Sequence, residues 1–293
     1  MSEPQSDSIS FGAFVRRKEA AATATLERFR TVDDHSDAFT LDTISSSFTD
    51  GLLDGPFFQS VVPHDSLPSV SLVFVQSRDG NTDADDPSAL GGGNTDKHVI
   101  YEGLTRVSVD AVAAGSKTVG DGNQVFSIWH PELVRLRLAL GKRRHPLQIV
   151  ITRRGVLPID SGLIFNVPEL PVIILCPASA EGRLAHAVAS RPWIAIVSTS
   201  TGSDLRRGIE RLRGDFDIHR VSAVGGRSTA TALIDAGVVR DLYLTTSPIT
   251  GGVPGTPLYG GTHPPVRELV VRKESIEGVT FEHFVIGASA PVR

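Results

Sequence analysis

Residues 221–248 read VSAVGGRSTATALIDAGVVRDLYLTTSP and carry the signals of a strand, a tight turn, a helix and a second strand. The apolar run Ile218–Val224 enters Gly225-Gly226, and Gly237 suits the position just after a helix. Val239–Thr246 is the second strand-like run. A helix between two strands usually joins parallel strands of one sheet, so this stretch predicts an α/β fold.

The same alternation of strands and helices continues upstream of this unit. Two C-terminal strands, Arg267–Lys273 and Val279–Ile286, follow each other without a helix and predict an antiparallel edge. We therefore predict a three-layer α/β/α domain with a mixed, mostly parallel sheet. The other predicted strands lie at residues 69–76, 110–115, 147–152, 172–176 and 193–198. The other predicted helices are one capped by Thr95 or Asp96 with Ile100, Leu104 and Val107 on its apolar face, then 131–140, 181–189 and one capped by Ser203.

The first 60 residues differ from the rest of the chain. Phe11–Arg30 is rich in Ala, Glu and Arg, which favour helices, whereas Thr31–Asp54 is rich in Ser, Thr and Asp and has weak periodicity. We predict an N-terminal extension over residues 1–60, partly helical or weakly ordered, and a main domain over residues 61–293. A length of 293 residues also allows two small domains.

Composition excludes several classes of partner. Lys and Arg total 29 against 33 Asp and Glu, so a net charge of −4 favours neither nucleic acid nor an anionic membrane. The single cysteine, Cys176, excludes an internal disulfide and any multi-cysteine metal site, and it favours a reducing, cytoplasmic setting. No apolar run is long enough for a membrane span, and the N-terminus does not resemble a signal peptide.

Three loops follow predicted strand ends, where open α/β sheets bind ligands. After Gly225-Gly226 come Arg227, Ser228 and Thr229, a helix start that suits an anion such as phosphate. The loop is neither a Walker A motif nor a G-x-G-x-x-G fingerprint, and the same pattern suits a purely structural turn.

The other two loops are less specific. Thr152-Arg153-Arg154 ends a strand, and its two arginines could bind the 2′-phosphate that distinguishes NADPH from NADH, or could be ordinary surface residues. Residues 198–202 read STSTG, so Ser198 begins a hydroxyl-rich strand end.

Three sequence blocks together resemble a known family. Val70–Gly80, Leu104–Val119 and Val221–Pro248 are similar, in order and spacing, to the signature blocks of the reductase domain of bacterial riboflavin biosynthesis. The resemblance covers about residues 61–286 and implies a dihydrofolate reductase-like fold, NADPH as hydride donor and a homodimer. It also implies a small-molecule substrate, a ribosylaminopyrimidine whose sugar is reduced.

The resemblance also implies roles for individual residues. Val75 matches a residue at the nicotinamide end of the cofactor, Thr118 one at the junction of cofactor and substrate, and Arg106 a substrate-binding arginine. Asp121 or Gly122 falls near a substrate-binding aspartate. Arg153 lies about where a serine contacts the cofactor, and Gly226–Ala232 matches the loop and helix start that hold the cofactor phosphates.

The residues that the resemblance assigns to substrate binding depart from the family pattern. Val224 stands where the family has a glutamate that contacts substrate. The family's Asp-Pro pair appears as His130-Pro131, displaced by an insertion, and both Arg135 and Arg137 compete for the arginine that follows it. His130-Pro131-Glu132 mimics the H-x-E of a zinc deaminase, but no P-C-x-x-C follows, and the other histidines form no metal-binding pair. We therefore predict no metal.

Two carboxylates are candidates for a proton donor. Asp79 and Asp121 lie near the expected site, although a bound water could serve as well and Asp79 could merely form a turn with Gly80. The leading hypothesis is an NADPH-dependent oxidoreductase acting on a pyrimidine- or pterin-like substrate. The alternatives are an NADP-binding protein of the same fold with a different substrate, or one that has lost catalysis.

Overall fold

The computed structural model of the chain describes residues 10–63, 66–84, 90–120, 124–200 and 204–287. The strands in these ranges are β1 (Phe29–Asp34), β2 (Leu41–Ile44), β3 (Phe57–Ser60), β4 (Ser69–Gln76), β5 (Ala111–Gly115), β6 (Leu147–Ile151), β7 (Val172–Pro177), β8 (Ile194–Thr199), β9 (Arg220–Val224), β10 (Val239–Thr246), β11 (Arg267–Ser275) and β12 (Thr280–Ile286).

The helices are mostly short. They are α1 (Phe11–Ala22), α2 (Ser47–Leu53), α3 (Gly93–Thr95), α4 (Thr105–Val107), α5 (Ser116–Val119), α6 (Pro131–Ala139), α7 (Ala178–Ala187), α8 (Leu205–Phe216) and α9 (Arg227–Asp235). A π-helical segment, Asp96–Leu104, joins α3 to α4. No helix in the described ranges is long and apolar enough to cross a bilayer.

The main sheet has ten strands in the order β1-β11-β12-β10-β4-β9-β5-β6-β7-β8. The seven strands from β10 to β8 run parallel to their neighbours. On the other side of β10, strands β12, β11 and β1 pair antiparallel. The predicted mixed sheet with an antiparallel C-terminal edge is confirmed.

Side chains alternate between the two faces of this sheet and build two separate apolar cores. One face carries Val73, Val224 and Tyr243 and packs against the π-helical segment, α6 and α7. The opposite face carries Leu72 and Leu244 and packs against α8 and α9. Helices on both faces make the predicted α/β/α layers.

Most elements of the main sheet start and end where the sequence predicts. The strands over 69–76 and 239–246 match the prediction, and Gly237 has a φ of +63° just after α9, as the position following a helix requires. The predicted caps differ, because neither Thr95 nor Asp96 caps the helix, which begins at Gly93. The predicted cap Ser203 lies outside the described residues.

Residues 29–60, with their weak periodicity, contain regular elements. The first of them, β1, pairs with β11 and forms one edge of the main sheet, while β2 and β3 pair with each other as a separate two-stranded sheet. Helix α1 packs through Phe14 against Trp129, with ring centroids 5.6 Å apart. The extension therefore covers the main domain at two places.

Candidate active site

A cleft lies at the carboxyl edge of the parallel sheet, where β5, β6, β7 and β8 end. Its volume is about 410 Å³. The residues of this strand-end cleft that the sequence predicts as ligand-binding are Thr118, Thr152, Arg153, Arg154, Gly226, Ser228 and Thr229. The others are Gly115, Ser116, Lys117, Ile151, Val156, Leu175, Cys176, Pro177, Thr199, Leu205 and Ala232.

Two glycines form one side of the strand-end cleft. Gly225 and Gly226 have φ values of +65° and +78°, a backbone conformation that favours glycine. A Cβ on Gly225 would lie 2.8 Å from Cγ2 of Thr118, and one on Gly226 would lie 2.9 Å from Oγ1 of Thr118. These glycines are therefore required both for the turn and for the close approach of Thr118.

A second close approach joins β5 to the start of α9. A Cβ on Gly115 would lie 2.2 Å from Oγ1 of Thr229, so only glycine allows the helix start to come this close to the strand. The N-terminus of α9, with the side chains of Ser228 and Thr229, therefore forms part of the cleft wall. Helix N-termini attract anions because their first N–H groups lack partners within the helix.

Basic side chains form another part of the wall. Arg153 and Arg154 follow Thr152 just after the end of β6, and both are exposed. The backbone N–H of Gly155 donates to Oγ1 of Thr152 at 3.0 Å, which fixes the loop that carries the two arginines. Lys117 also lines the cleft but pairs with Asp83, so the two arginines make the site cationic and suited to a phosphate-bearing ligand.

Cys176 lies in the wall between these groups and is 3% exposed. Burial, followed by the charge of Glu181, raises the pKa of its thiol, so the side chain stays neutral. Across the described ranges, no group of three or more His, Cys, Asp or Glu side chains could hold a metal ion.

Four predicted cofactor residues do not line the strand-end cleft. The hydroxyl of Ser198 donates to Oε2 of Glu181 at 2.7 Å, and Nη1 of Arg227 donates to the carbonyl of Gly255 at 3.1 Å. Gly225 lies behind Thr118, and Val75 is half-buried near the end of β4. Their predicted contacts with a cofactor stay predictions.

Two arginines predicted to bind substrate are buried, and their role in binding stays a prediction. Arg106 is 1% exposed, donates to the carbonyl of Ser127 at 2.9 Å and stacks over the ring of Tyr101. Arg137 is also 1% exposed, and its Nη1 donates to the carbonyls of Arg106, Val107 and Val109 at 2.8–3.0 Å. The guanidinium of Arg137 bonds carbonyls in and next to α4, that of Arg106 bonds the Ser127 carbonyl, and neither lines the strand-end cleft.

The remaining substrate-side candidates are scattered. Arg135, the rival of Arg137, is exposed and pairs with Glu132 on the same helix. Val224 is buried at the end of β9, on the same sheet face as Val73. Asp121 and Gly122 lie outside the described residues.

Asp79, a candidate proton donor, lies in an exposed turn. Hydrogen bonds from the side chain of Ser77 and the backbone N–H of Gly251 hold the pKa of its carboxyl below the usual range. A carboxyl that stays ionised is a poor proton donor, so this geometry favours the turn-forming role that the sequence also allows.

One buried titratable residue, Asp96, is not among the site residues that the sequence predicts. Asp96, the first residue of the π-helical segment, is 3% exposed, and burial raises its pKa to about 7. A hydrogen bond from Thr245 opposes this shift only in part. In the sequence Asp96 follows a glycine triplet, but that signal alone does not distinguish it from a helix cap.

Comparisons with known proteins agree with this architecture. The RibD C-terminal domain family model matches residues 68–280. A pyrimidine reductase-like protein from Corynebacterium diphtheriae superposes with a TM-score of 0.61 at 20% identity, over 76% of this chain and 93% of that one. No curated protein matches the sequence.

Two larger solved proteins share the fold. RibD from Acinetobacter baumannii has a TM-score of 0.58 and 18% identity, over 76% of this chain but 58% of its own length. A deaminase/5-amino-6-(5-phosphoribosylamino)uracil reductase from Thermotoga maritima has a TM-score of 0.53 and 19% identity, over 75% of this chain and 57% of that one. This chain thus spans less than two thirds of these two proteins. The family match and the shared fold confirm the predicted resemblance: the chain belongs to the RibD C-terminal domain family, a reductase-domain family of riboflavin biosynthesis.

Proposed function

We propose that the chain is an NADPH-dependent reductase that transfers hydride to a pyrimidine-type substrate. The observation that carries the proposal is the convergence of seven predicted cofactor residues in one cleft at the carboxyl edge of the sheet. These residues come from three separate loops, so their convergence is not a consequence of sequence proximity. Open α/β sheets bind nucleotides at this edge.

The strand-end cleft fits a dinucleotide phosphate. The start of α9 and the backbone at Gly226 would provide N–H groups for a pyrophosphate. Arg153 and Arg154 would bind the 2′-phosphate, because a guanidinium forms strong paired hydrogen bonds with phosphate oxygens. NADPH, when bound, supplies the hydride.

The protein's own residues would supply orientation. Thr118 touches both glycines of the turn and lies where the resemblance implies the junction of cofactor and substrate, so it would align the two reactants. The apolar strand ends Ile151 and Leu175 line the cleft and would keep water from this part of it once a ligand binds. We propose the homodimer as well, on the basis of the family alone.

A second candidate function is nucleotide binding without catalysis. The observation that favours it is the substrate half, where Val224 replaces a family glutamate and the predicted arginines lie in the core. In that case NADPH would bind to the strand-end cleft but would not be oxidised by a pyrimidine.

Absorbance of the reduced nicotinamide separates these functions. NADPH is mixed with the protein and with 5-amino-6-(5-phosphoribosylamino)uracil, and dihydrofolate is the comparison substrate. We expect oxidation with the uracil and not with dihydrofolate. Oxidation with dihydrofolate alone would indicate a pterin reductase, and oxidation with neither would favour the non-catalytic function.

A further inference from the structure

The two exposed arginines of the strand-end cleft lie in a tight turn over residues 152–155, which we call the arginine turn. Its first residue, Thr152, stays bonded to the sheet, because its backbone N–H donates to the carbonyl of Leu175 at 2.9 Å. Its last residue, Gly155, has a φ of +64°. Among the described residues neither guanidinium of the turn has a hydrogen-bond partner. The backbone of the turn therefore determines where the two side chains can reach.

The arginine turn packs directly on α7. A Cβ on Gly155 would lie 2.4 Å from Cβ of Ala180 and 2.9 Å from Nη2 of Arg183. Ala180 and Arg183 are three residues apart and share one face of the helix, and Ala180 is buried. A side chain at position 155 would push the turn away from this face, so glycine is required for the contact as well as for its φ.

Arg183 bonds the backbone of the arginine turn. Its Nη2 donates to the carbonyl of Arg154 at 2.6 Å, and among the described residues this carbonyl is its hydrogen-bond partner. A hydrogen bond from a charged donor is about twice as strong as one between neutral groups. Arg183 therefore holds the turn from the side of the helix, and Thr152 holds it from the side of the sheet.

The positive charge at this place has no protein counterion in the described part of the chain. None of Arg153, Arg154 and Arg183 forms an ion pair there, and the carboxylate of Glu181, on the same helix as Arg183, accepts from the hydroxyl of Ser198 at 2.7 Å instead. Like charges repel each other, so an anion that binds beside them stabilises the cluster.

From these contacts we propose that Arg183 is the positioning residue of a 2′-phosphate site in the strand-end cleft. Arg183 does not line the cleft; it acts through the carbonyl of Arg154 and fixes the turn in the orientation in which Arg153 and Arg154 meet the phosphate. A turn that is fixed before the ligand arrives loses less conformational entropy on binding. The inference rests on the proposed function and adds a residue that determines cofactor preference.

Two small probes that differ only in the 2′-phosphate test the proposal. Calorimetry measures the Kd of adenosine 2′,5′-bisphosphate and that of adenosine 5′-monophosphate, and wild type should bind the bisphosphate more tightly. Arg183→Ala should raise the Kd of the bisphosphate about 10-fold and leave that of the monophosphate within about twofold. A merely structural role of Arg183 would weaken both probes alike or neither.

Two further variants separate positioning from direct contact. Arg183→Lys keeps a charged donor on a long stem and should stay within about threefold of wild type. In the Arg153→Ala/Arg154→Ala background, Arg183→Ala should change the Kd of the bisphosphate by no more than about twofold, because Arg183 acts only through these two residues. A second tenfold loss in that background would show that Arg183 touches the phosphate itself, and it would overturn the positioning role.

The matched control is Arg206→Ala in α8. Arg206 is also exposed, and its Nη1 also donates to a backbone carbonyl, that of Gly237 at 3.2 Å. Gly237 follows the end of α9 that is remote from the cleft. The control should leave both Kd values within about twofold of wild type, and thermal unfolding verifies that every variant is folded.

The outcomes separate this inference from the proposed function. If wild type reduces 5-amino-6-(5-phosphoribosylamino)uracil with NADPH but Arg183→Ala leaves the ratio of the two Kd values unchanged, the inference is wrong and the reductase function stands. If that ratio changes as expected but NADPH is not oxidised, the inference stands and the reductase function is wrong. Equal Kd values of the two probes in wild type would overturn the inference.

Discussion

Arg153 and Arg154 are two exposed cations beside a cleft that already has a helix N-terminus and a glycine turn. The pyrophosphate of either nicotinamide cofactor can use the helix and the turn, whereas only NADPH carries a 2′-phosphate for the arginines. Cofactor preference should therefore depend on this pair of residues.

The double variant Arg153→Ala/Arg154→Ala should raise the Kd of NADPH about 100-fold and that of NADH no more than about threefold, since charge-assisted hydrogen bonds to phosphate are lost. Titrations followed by nicotinamide fluorescence measure both constants. Arg30→Ala, an exposed arginine on β1 at the other end of the sheet, is the control. Equal losses for both cofactors would refute the 2′-phosphate role.

Asp96 should also make the free energy of unfolding depend on pH in a defined direction. Its pKa is raised to about 7 in the folded protein, so between about pH 4 and pH 7 the folded state keeps a proton that the unfolded chain releases. The free energy of unfolding should fall as pH rises through this window. Asp96→Asn removes the effect. The free energy of unfolding of this variant, relative to that of wild type, should therefore increase by about 4 kcal/mol from pH 4 to pH 8.

Asp110→Asn provides a control of opposite sign in the same urea unfolding series. Burial would raise the pKa of Asp110, but Lys142 Nζ at 2.6 Å and the backbone N–H groups of His219 and Arg220 lower it on balance. Its stabilising contribution is present above the ordinary aspartate pKa and is lost as pH falls through the lowered one. Identical pH trends for both variants would contradict these assignments.

Among the contacts between secondary-structure elements, the strand-end cleft depends most on the packing of β5 against the start of α9. Gly115→Ala should push the helix start away, because its Cβ would lie 2.2 Å from Oγ1 of Thr229, and should lower the unfolding free energy by about 1–3 kcal/mol. The affinity of this variant for NADPH should fall as well.

Adding Thr229→Ala to Gly115→Ala separates packing from binding. The double variant should recover most of the stability measured by urea unfolding, because the clashing hydroxyl is gone, but not the NADPH affinity. Gly182→Ala in α7, where an added Cβ meets nothing within 4 Å, should be neutral or slightly stabilising. Recovery of full NADPH affinity in the double variant would argue against a ligand contact by Thr229.

The elements that the sequence predicts well are those with local signals. The strand over 239–246 contains Val239, Leu242 and Leu244 and is flanked by turn residues, and Gly225-Gly226 marks the start of α9. By contrast, β1 is stabilised by pairing with β11, which lies more than 200 residues away in the sequence. No local pattern therefore predicts this strand. The same reason explains how much of the site the sequence predicts. The loops at the strand ends have local signals and predict the cationic part of the cleft. The burial of Arg106 and the hydrogen bond from Thr245 to Asp96 depend on tertiary contacts, which no local pattern shows.

At the scale of the whole molecule, the extension completes groups that belong to the main sheet. Lys273 of β11 is 2% exposed, and its Nζ donates to the carbonyls of Leu53 and Asp54 and to Oγ1 of Thr31. Burial lowers the pKa of this amine, because the buried ammonium has lost its contact with water and has the three protein oxygens in its place. The partners of Lys273 named here all come from residues 31–54.

A chain of residues 61–293 should be less stable than the full chain by at least ~3 kcal/mol, because β11 would lose its pairing with β1 and the core would lose Phe29, Leu53 and Phe57. Urea unfolding measures the difference. Equal stability of the two lengths would show that residues 1–60 are a separable extension, as a domain boundary at residue 60 implies.

Direct titration of the full protein with NADPH, followed by nicotinamide fluorescence, tests the central claim that the strand-end cleft binds this cofactor. We expect saturable binding with one site per chain, displaced by NADP⁺ and weakened selectively by Arg153→Ala/Arg154→Ala. No saturable binding, or binding that Gly115→Ala and the arginine variants leave unchanged, would contradict it.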